Sequence, residues 1–292
     1  MPQDANNVIR PETRTVDGLA IRIARGERDP GLRAEALLLS PWPESLYAFE
    51  PTWRRLAAHA NLTAVDLPGF GHSERREALM SPRAMGDFIV RIADTFGIEQ
   101  PHVVGPDVGT AASLFAAALH PDRLRSLTIG SGGAAVPLEL GEPLKGWVED
   151  PDIERYRHID GRQVVSAALS TLERYTPTDA AREDYLAAYA GERFAESTSY
   201  VRKYPQELPI LRDLLPEIRT PVKIVCGAHD KVVPRVNAEF LAERLPNVEL
   251  ALLDAGHFIW EDAAEAYAAE VTSWWGRLAA TRSRAGRSVY GR

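Results

Sequence analysis

The sequence predicts an α/β protein: a mostly parallel sheet with helices on both faces and a helical cap inserted into it. Three observations carry this reading. Short apolar runs rich in β-formers alternate with helical patterns along most of the chain. Those runs are near-continuously apolar, as strands covered on both faces are. The alternation breaks once, over residues 133–215, where the pattern is helical and rich in Tyr, Glu and Arg.

In chain order, Asp17-Gly18 splits an opening hairpin around Arg14-Thr15 and residues 21–25. Strands are expected at 34–40, 62–67, 102–105, 124–130, 222–227 and 248–254. Helices are expected at 51–60, 82–96, 108–120, 235–245 and 259–278. The core is thus read as residues 12–132 and 216–280, with the cap over 133–215. The cap leaves at Ser131-Gly132-Gly133 and returns through Pro216-Glu217-Ile218-Arg219-Thr220-Pro221. Residues 281–292 read as a flexible, solvated basic tail.

With 45% hydrophobic and 26% charged residues, the chain has the make-up of a globular protein that buries a large core. A net charge of −7 argues against nucleic acid or an anionic membrane as partner. The single cysteine, Cys226, lies in an apolar run and allows no intrachain disulfide, which fits a reducing compartment. Residues 1–7 are polar and lack the apolar stretch of a signal peptide. The expected location is cytoplasmic. The histidines are scattered without metal-ligand spacing, and there is no phosphate-binding glycine loop, so no metal and no cofactor are expected. The expected partners are a small apolar or amphipathic organic substrate and, for assembly, a second copy in a homodimer.

Three positions carry candidate chemistry. In His102-Val103-Val104-Gly105-Pro106-Asp107-Val108-Gly109-Thr110 an apolar strand meets a sharp small-residue turn and an Ala-rich helix. That is the context of the G-x-S-x-G elbow, with a carboxylate where serine would stand. Asp230 follows the run 222–227, and His257 lies in Asp254-Ala255-Gly256-His257-Phe258 after the last strand. All three fall in loops after C-terminal strand ends, where parallel sheets build their sites. Each also fits a plainer role: Asp107 as a helix N-cap, Asp230 as an Asx-turn, His257 as a loop histidine. The order nucleophile, acid, histidine is what favours the catalytic reading.

On these residues the chain resembles α/β-hydrolases with an Asp nucleophile, the epoxide hydrolases and haloalkane dehalogenases, over about residues 12–280. Asp66-Leu67-Pro68-Gly69-Phe70-Gly71-His72-Ser73 matches as well. Trp42-Pro43-Glu44-Ser45 is similar to the H-G-F-P-E-S segment of epoxide hydrolases, which implies an oxyanion hole made by the Trp42 and Val108 amides. Ser40-Pro41 departs from that segment's His-Gly. Pro41 fixes φ and has no N–H, so a differently shaped loop is expected.

The carboxylate decides the reaction type. Attack on an ester carbonyl would give a mixed anhydride, whereas displacement at saturated carbon gives an alkyl ester that water can cleave. A halide leaving group needs N–H donors. Val108 stands where haloalkane dehalogenases usually carry Trp, and Trp42 stands where a second halide donor can lie. An epoxide oxygen needs an acid, which related enzymes supply from two cap tyrosines. Among Tyr156, Tyr175, Tyr185, Tyr189, Tyr200 and Tyr204, position favours Tyr156 and Tyr200, with Tyr204 third. Trp42, Tyr204, Trp147 and Phe258 are candidate substrate contacts. The expected activity is epoxide hydrolysis. The alternatives are dehalogenation, or a ligand-binding or biosynthetic protein on the same fold.

Overall fold

The computed structural model describes residues 9–152 and 154–289. Residues 1–7, read above as lacking a signal peptide, lie outside the described residues. Eight strands form one sheet: β1 (Pro11–Val16), β2 (Leu19–Arg25), β3 (Glu35–Leu39), β4 (Asn61–Val65), β5 (His102–Pro106), β6 (Ser126–Gly130), β7 (Val222–Gly227) and β8 (Val248–Leu253). Their order is β1-β2-β4-β3-β5-β6-β7-β8. The β1–β2 and β2–β4 pairs are antiparallel and the rest parallel. Asp17 and Gly18 both take positive φ, as a tight two-residue hairpin requires.

Helices α1 (Trp53–Ala57), α2 (Pro82–Thr95) and α3 (Gly109–Leu119) follow successive strands. Between β6 and β7 the chain forms α4 (Leu144–Glu149), α5 (Gly161–Leu169), α6 (Asp179–Ala188), α7 (Arg193–Val201) and α8 (Tyr204–Leu214). The chain ends with α9 (Val236–Ala242), α10 (Ile259–Asp262) and α11 (Ala264–Val289). The start of α2 is written in the sequence: Ser81 Oγ accepts the Ala84 amide and Pro82 opens the first turn. Strands β4 to β7 are buried along their whole length, which explains their unbroken apolar character.

Three expectations need correction. β8 ends the sheet, pairing among the described residues with β7 alone, and leaves Leu250 and Leu252, which share one face, exposed. The helix expected at 259–278 divides at Ala263 into α10 and α11. Finally, α11 continues to Val289, through most of the segment expected to be a flexible tail; residues 290–292 lie outside the described residues.

A charged latch fastens the insertion to the core. Asp184 on α6 accepts from Arg22 Nη1 and Nη2, at 2.9 and 2.5 Å, and from the Ser45 hydroxyl at 2.6 Å. Arg22 also reaches Asp66 at 3.3 Å, and Asp66 accepts the Leu46 and His72 amides. Burial alone would raise the Asp184 carboxyl, but hydrogen bonds from His72, Arg22 and Ser45 pull it down to about 2.

Candidate active site

The turn after β5 places Asp107 at φ +52, a strained value for a non-glycine residue. Its amide donates to Gly130 O at 2.8 Å, and its carbonyl accepts the Thr110 amide at 2.9 Å, so the turn is clamped from both sides. Small neighbours are required here. A Cβ on Gly105 would lie 2.5 Å from Ser113 Oγ, and one on Gly132 would enter the Asp107 carbonyl.

The Asp107 side chain does not cap α3. Oδ2 accepts the Trp42 amide at 2.7 Å, and the Val108 amide also acts on the carboxylate. Both expected oxyanion donors therefore meet at one carboxyl group, and Pro41 does not keep Trp42 from reaching it. Oδ1 lies 3.8 Å from His257 Nε2, too far for a direct hydrogen bond. His257 Nδ1 sits 2.9 Å from Asp230 Oδ2. Asp230 Oδ1 accepts the Val232 and Val233 amides at 2.9 and 2.8 Å. Asp230 thus makes the Asx-turn and orients the imidazole with the same carboxylate, one oxygen for each.

Asp107 and His257 are 5% and 9% exposed, and this burial sets their titration. Desolvation pushes the Asp107 carboxyl up to about 6, against the pull of His257 and the Trp42 and Val108 amides. His257 is raised: desolvation lowers it, but Asp230 and then Asp107 outweigh that loss.

The insertion supplies the opposite wall. The Tyr200 hydroxyl donates to Val108 O at 2.8 Å. Tyr204 packs edge-on against Tyr200, and its hydroxyl makes no hydrogen bond among the described residues. Both tyrosines are buried, and the Asp107 charge acts on both. Tyr156 differs from the expectation. Its hydroxyl lies 2.9 Å from Asp150 Oδ2 and 3.2 Å from Gly146 O, which hold it at the end of α4 rather than beside Asp107.

Among the candidate substrate contacts, Trp42 stacks on Phe194 and meets Trp147 edge-on. Its indole N–H donates to Ser197 Oγ at 2.8 Å. Phe258 stands edge-on to His257 at 5.0 Å. Sequence reasoning did not single out Phe194, Ser197 or Glu261. Their roles depend on which helix faces come together, and no local motif records that. Among the described residues no group of three or more His, Cys, Asp or Glu could hold a metal, and no helix is long and apolar enough to cross a membrane.

A carboxylate at a strained elbow, an amide pair and an acid-oriented imidazole, all at the C-terminal edge of a parallel sheet, define a hydrolase of the α/β class. The chain belongs to the alpha/beta hydrolase fold family, whose pattern matches residues 37–264. It is 30% identical over 275 residues to a protein named as a carbamate hydrolase, RutD, from Caulobacter sp. strain K31, covering 88% of this chain and 95% of that protein. Haloalkane dehalogenase DbeA from Bradyrhizobium elkani USDA94 superposes with a TM-score of 0.78 at 21% identity, over 94% of this chain and 99% of that one. Epoxide hydrolase CorEH gives 0.76 at 18% identity, over 92% and 99%. At these identities the two structures speak for the fold alone.

Proposed function

We infer that this hydrolase opens an epoxide to a diol through an ester on Asp107. The observation that carries the reading is the split environment of that carboxylate: Oδ2 rests on the Trp42 amide, and Oδ1 faces His257 across 3.8 Å. Oδ1 attacks an epoxide carbon, the C–O bond breaks, and the alkoxide takes a proton from a tyrosine hydroxyl. Tyr204, with its unengaged hydroxyl, is the first choice for that acid and Tyr200 the second. Water then enters between His257 Nε2 and the ester and attacks the Asp107 carbonyl carbon, giving its proton to the imidazole. The oxyanion forms at Oδ2, already on its amide donor, an arrangement typically worth about 3–4 kcal/mol per donor. On collapse the imidazolium gives that proton to the departing alkoxide, which leaves as the diol. The new carboxyl passes its own proton through solvent to the tyrosinate, restoring both Asp107 and the tyrosine. Nothing in this cycle calls for a cofactor.

Esterification also adjusts the base. The Asp107 charge is one of the causes that raise His257, and the ester removes it. The imidazole is therefore easier to keep neutral in the step that needs it as a base.

Dehalogenation is less well supported, since the Trp42 indole N–H is engaged by Ser197 and Val108 offers no side-chain donor. The carbamate hydrolysis named for the Caulobacter relative is an attack at a carbonyl, where a carboxylate would yield an anhydride.

Intact-protein mass spectrometry of His257→Gln, incubated separately with epoxides and haloalkanes, tests the reading. A full-epoxide-mass adduct mapped to Asp107 is expected. An adduct lacking the halogen would transfer the assignment to dehalogenation, and wild-type levels of diol from Asp107→Ala would overturn the Asp107 ester.

A further inference from the structure

Behind the catalytic groups lie two buried glutamates that the cycle above does not use. Glu44 and Glu261 are 1% and 2% exposed and within hydrogen-bond reach of each other. Glu44 sits two residues after Trp42, whose amide holds Asp107 Oδ2. Glu261 sits four residues after His257, in α10. Each has one oxygen accounted for: Trp260 Nε1 donates to Glu44 Oε2 at 2.8 Å, and the Tyr185 hydroxyl of α6 donates to Glu261 Oε1 at 2.9 Å. The other two, Glu44 Oε1 and Glu261 Oε2, are buried without a donor.

Two carboxylates cannot face each other in a dry interior, but one retained proton makes the contact an O–H···O hydrogen bond and supplies the missing donor. The charged groups that act on the pair, Asp107 on Glu44 and Glu50 and Asp262 on Glu261, are all acidic, and Tyr175 and Tyr185 face it as neutral phenols. Among the described residues the main charges acting on the pair include no cation, and the Trp260 N–H and the Tyr185 hydroxyl are already spent on the other two oxygens. We propose that a proton shared between Glu44 and Glu261 bolts the loop carrying the Trp42 amide to the turn carrying His257, and through Tyr185 to the insertion, as a positioning device for the Asp107 site.

Supporting contacts run through the same junction. Tyr189 donates its hydroxyl to Glu44 O at 2.9 Å and accepts the Gly71 amide. The Trp260 ring, whose N–H is held by Glu44, stands edge-on to His257 at 5.8 Å. Losing the shared proton would put two charges in contact and push the Trp42 loop and the histidine turn apart. Desolvation drives the proton onto the pair: Glu261 is pushed up to about 7 and Glu44 well above the carboxylate range. Both folded-state values exceed their unfolded ones, so the pair's contribution to stability is whole in acid and is lost as pH rises through the folded values.

The shared proton stands independently of the proposed reaction, whereas the positioning role rests on it. The experiment therefore reads both, using the full chain as wild type, Glu44→Gln and Glu44→Ala. Gln keeps a permanent N–H donor towards Glu261 and an acceptor for Trp260, so the bridge survives without a titratable proton. Thermal unfolding and the NMR titration of the His257 ring, assigned with His257→Gln, are followed from about pH 5 to about pH 9. Wild type should lose Tm towards alkaline pH by about 2–4 °C more than Glu44→Gln, and the His257 signal should carry a second inflection only in wild type. Superimposable curves for the two proteins would overturn the shared proton. With an epoxide that labels Asp107, Glu44→Ala should slow ester hydrolysis at least tenfold and Glu44→Gln should restore it without the alkaline decline. Equal hydrolysis rates in all three would overturn the positioning role. Absence of any Asp107 adduct would count against the reaction and leave the unfolding and NMR readings to decide the proton.

Discussion

The sheet side and the insertion side of the site are held by different means. On the sheet side backbone amides fix the carboxylates: Trp42 N on Asp107 Oδ2, and Val232 N and Val233 N on Asp230 Oδ1. On the insertion side, Ser197 takes the Trp42 indole, Tyr200 donates to a core carbonyl, and the Tyr204 hydroxyl makes no hydrogen bond among the described residues. Amides at strand ends do not change rotamer, so the sheet wall is preorganised and its defects should be severe. The insertion wall depends on side chains that can rearrange, and its defects should be graded.

The largest effect is expected at Asp230. Replacing it with Ala leaves His257 Nδ1 without its acceptor and frees the ring. Ester hydrolysis should fall by about 10⁴-fold, as when the orienting acid of a related constellation is neutralised. Ester formation should change far less, because in the proposed reaction Asp107 attacks as a carboxylate and needs no base. Rapid-quench measurement of both steps would break the comparison if they declined equally.

Next comes pH. In the proposed reaction Asp107 must be ionised to attack, and burial holds its carboxyl at about 6. The rate of ester formation should therefore drop about tenfold per unit below that value and level off above it. Stability should run the other way. A native carboxyl raised above its unfolded value favours the fold most in acid, and that share is lost as pH climbs from the ordinary carboxylate range through about 6. A single-turnover pH profile with its limb near 4 would show that Asp107 is better solvated than its burial implies.

The tyrosines should give a smaller, graded series. Removing the hydroxyl of the acid should cost about 10²-fold in ester formation. Tyr204→Phe should show this loss, Tyr200→Phe less, and Tyr156→Phe almost none, since that hydroxyl is spent on Asp150 and Gly146 O. A Tyr156 effect as large as that of Tyr204 would mean that the insertion rearranges on binding substrate.

The same contrast explains what the sequence made legible. Strand ends, the elbow around Asp107 and the turn holding Asp230 are local, each spelled out within about ten residues, and their order along the chain gave the constellation. The choice between Tyr156 and Tyr204 was not local. Both are aromatic residues of the same segment, and only the packing of α7 and α8 against α3 and the loop of Trp42 separates them. Glu44 was visible as part of a motif, yet its partner lies 217 residues away, and a carboxylate alone does not announce that it is protonated. Likewise Asp66 marked a recognisable segment without revealing that Arg22 would carry its charge to Asp184.

That last network gives the smallest effect on chemistry and a clean effect on stability. In Asp184→Asn the side-chain shape is kept, but Arg22, His72 and Ser45 lose the charge they share. Breaking these charge-assisted bonds at a largely buried position should lower the unfolding free energy by about 1–3 kcal/mol at neutral pH. The sign with pH follows from the depressed carboxyl. Its stabilisation is present above the unfolded carboxylate value and disappears as pH falls towards about 2. Urea denaturation should therefore separate wild type from Asp184→Asn at neutral pH and bring them together in strong acid. Hydrolysis of a small labelled epoxide should stay within about twofold of wild type, since no residue of the sheet wall moves. A large loss of ester hydrolysis with unchanged stability would instead place the Arg22–Asp184 contact in the catalytic cycle, and the two walls would then have to act as one.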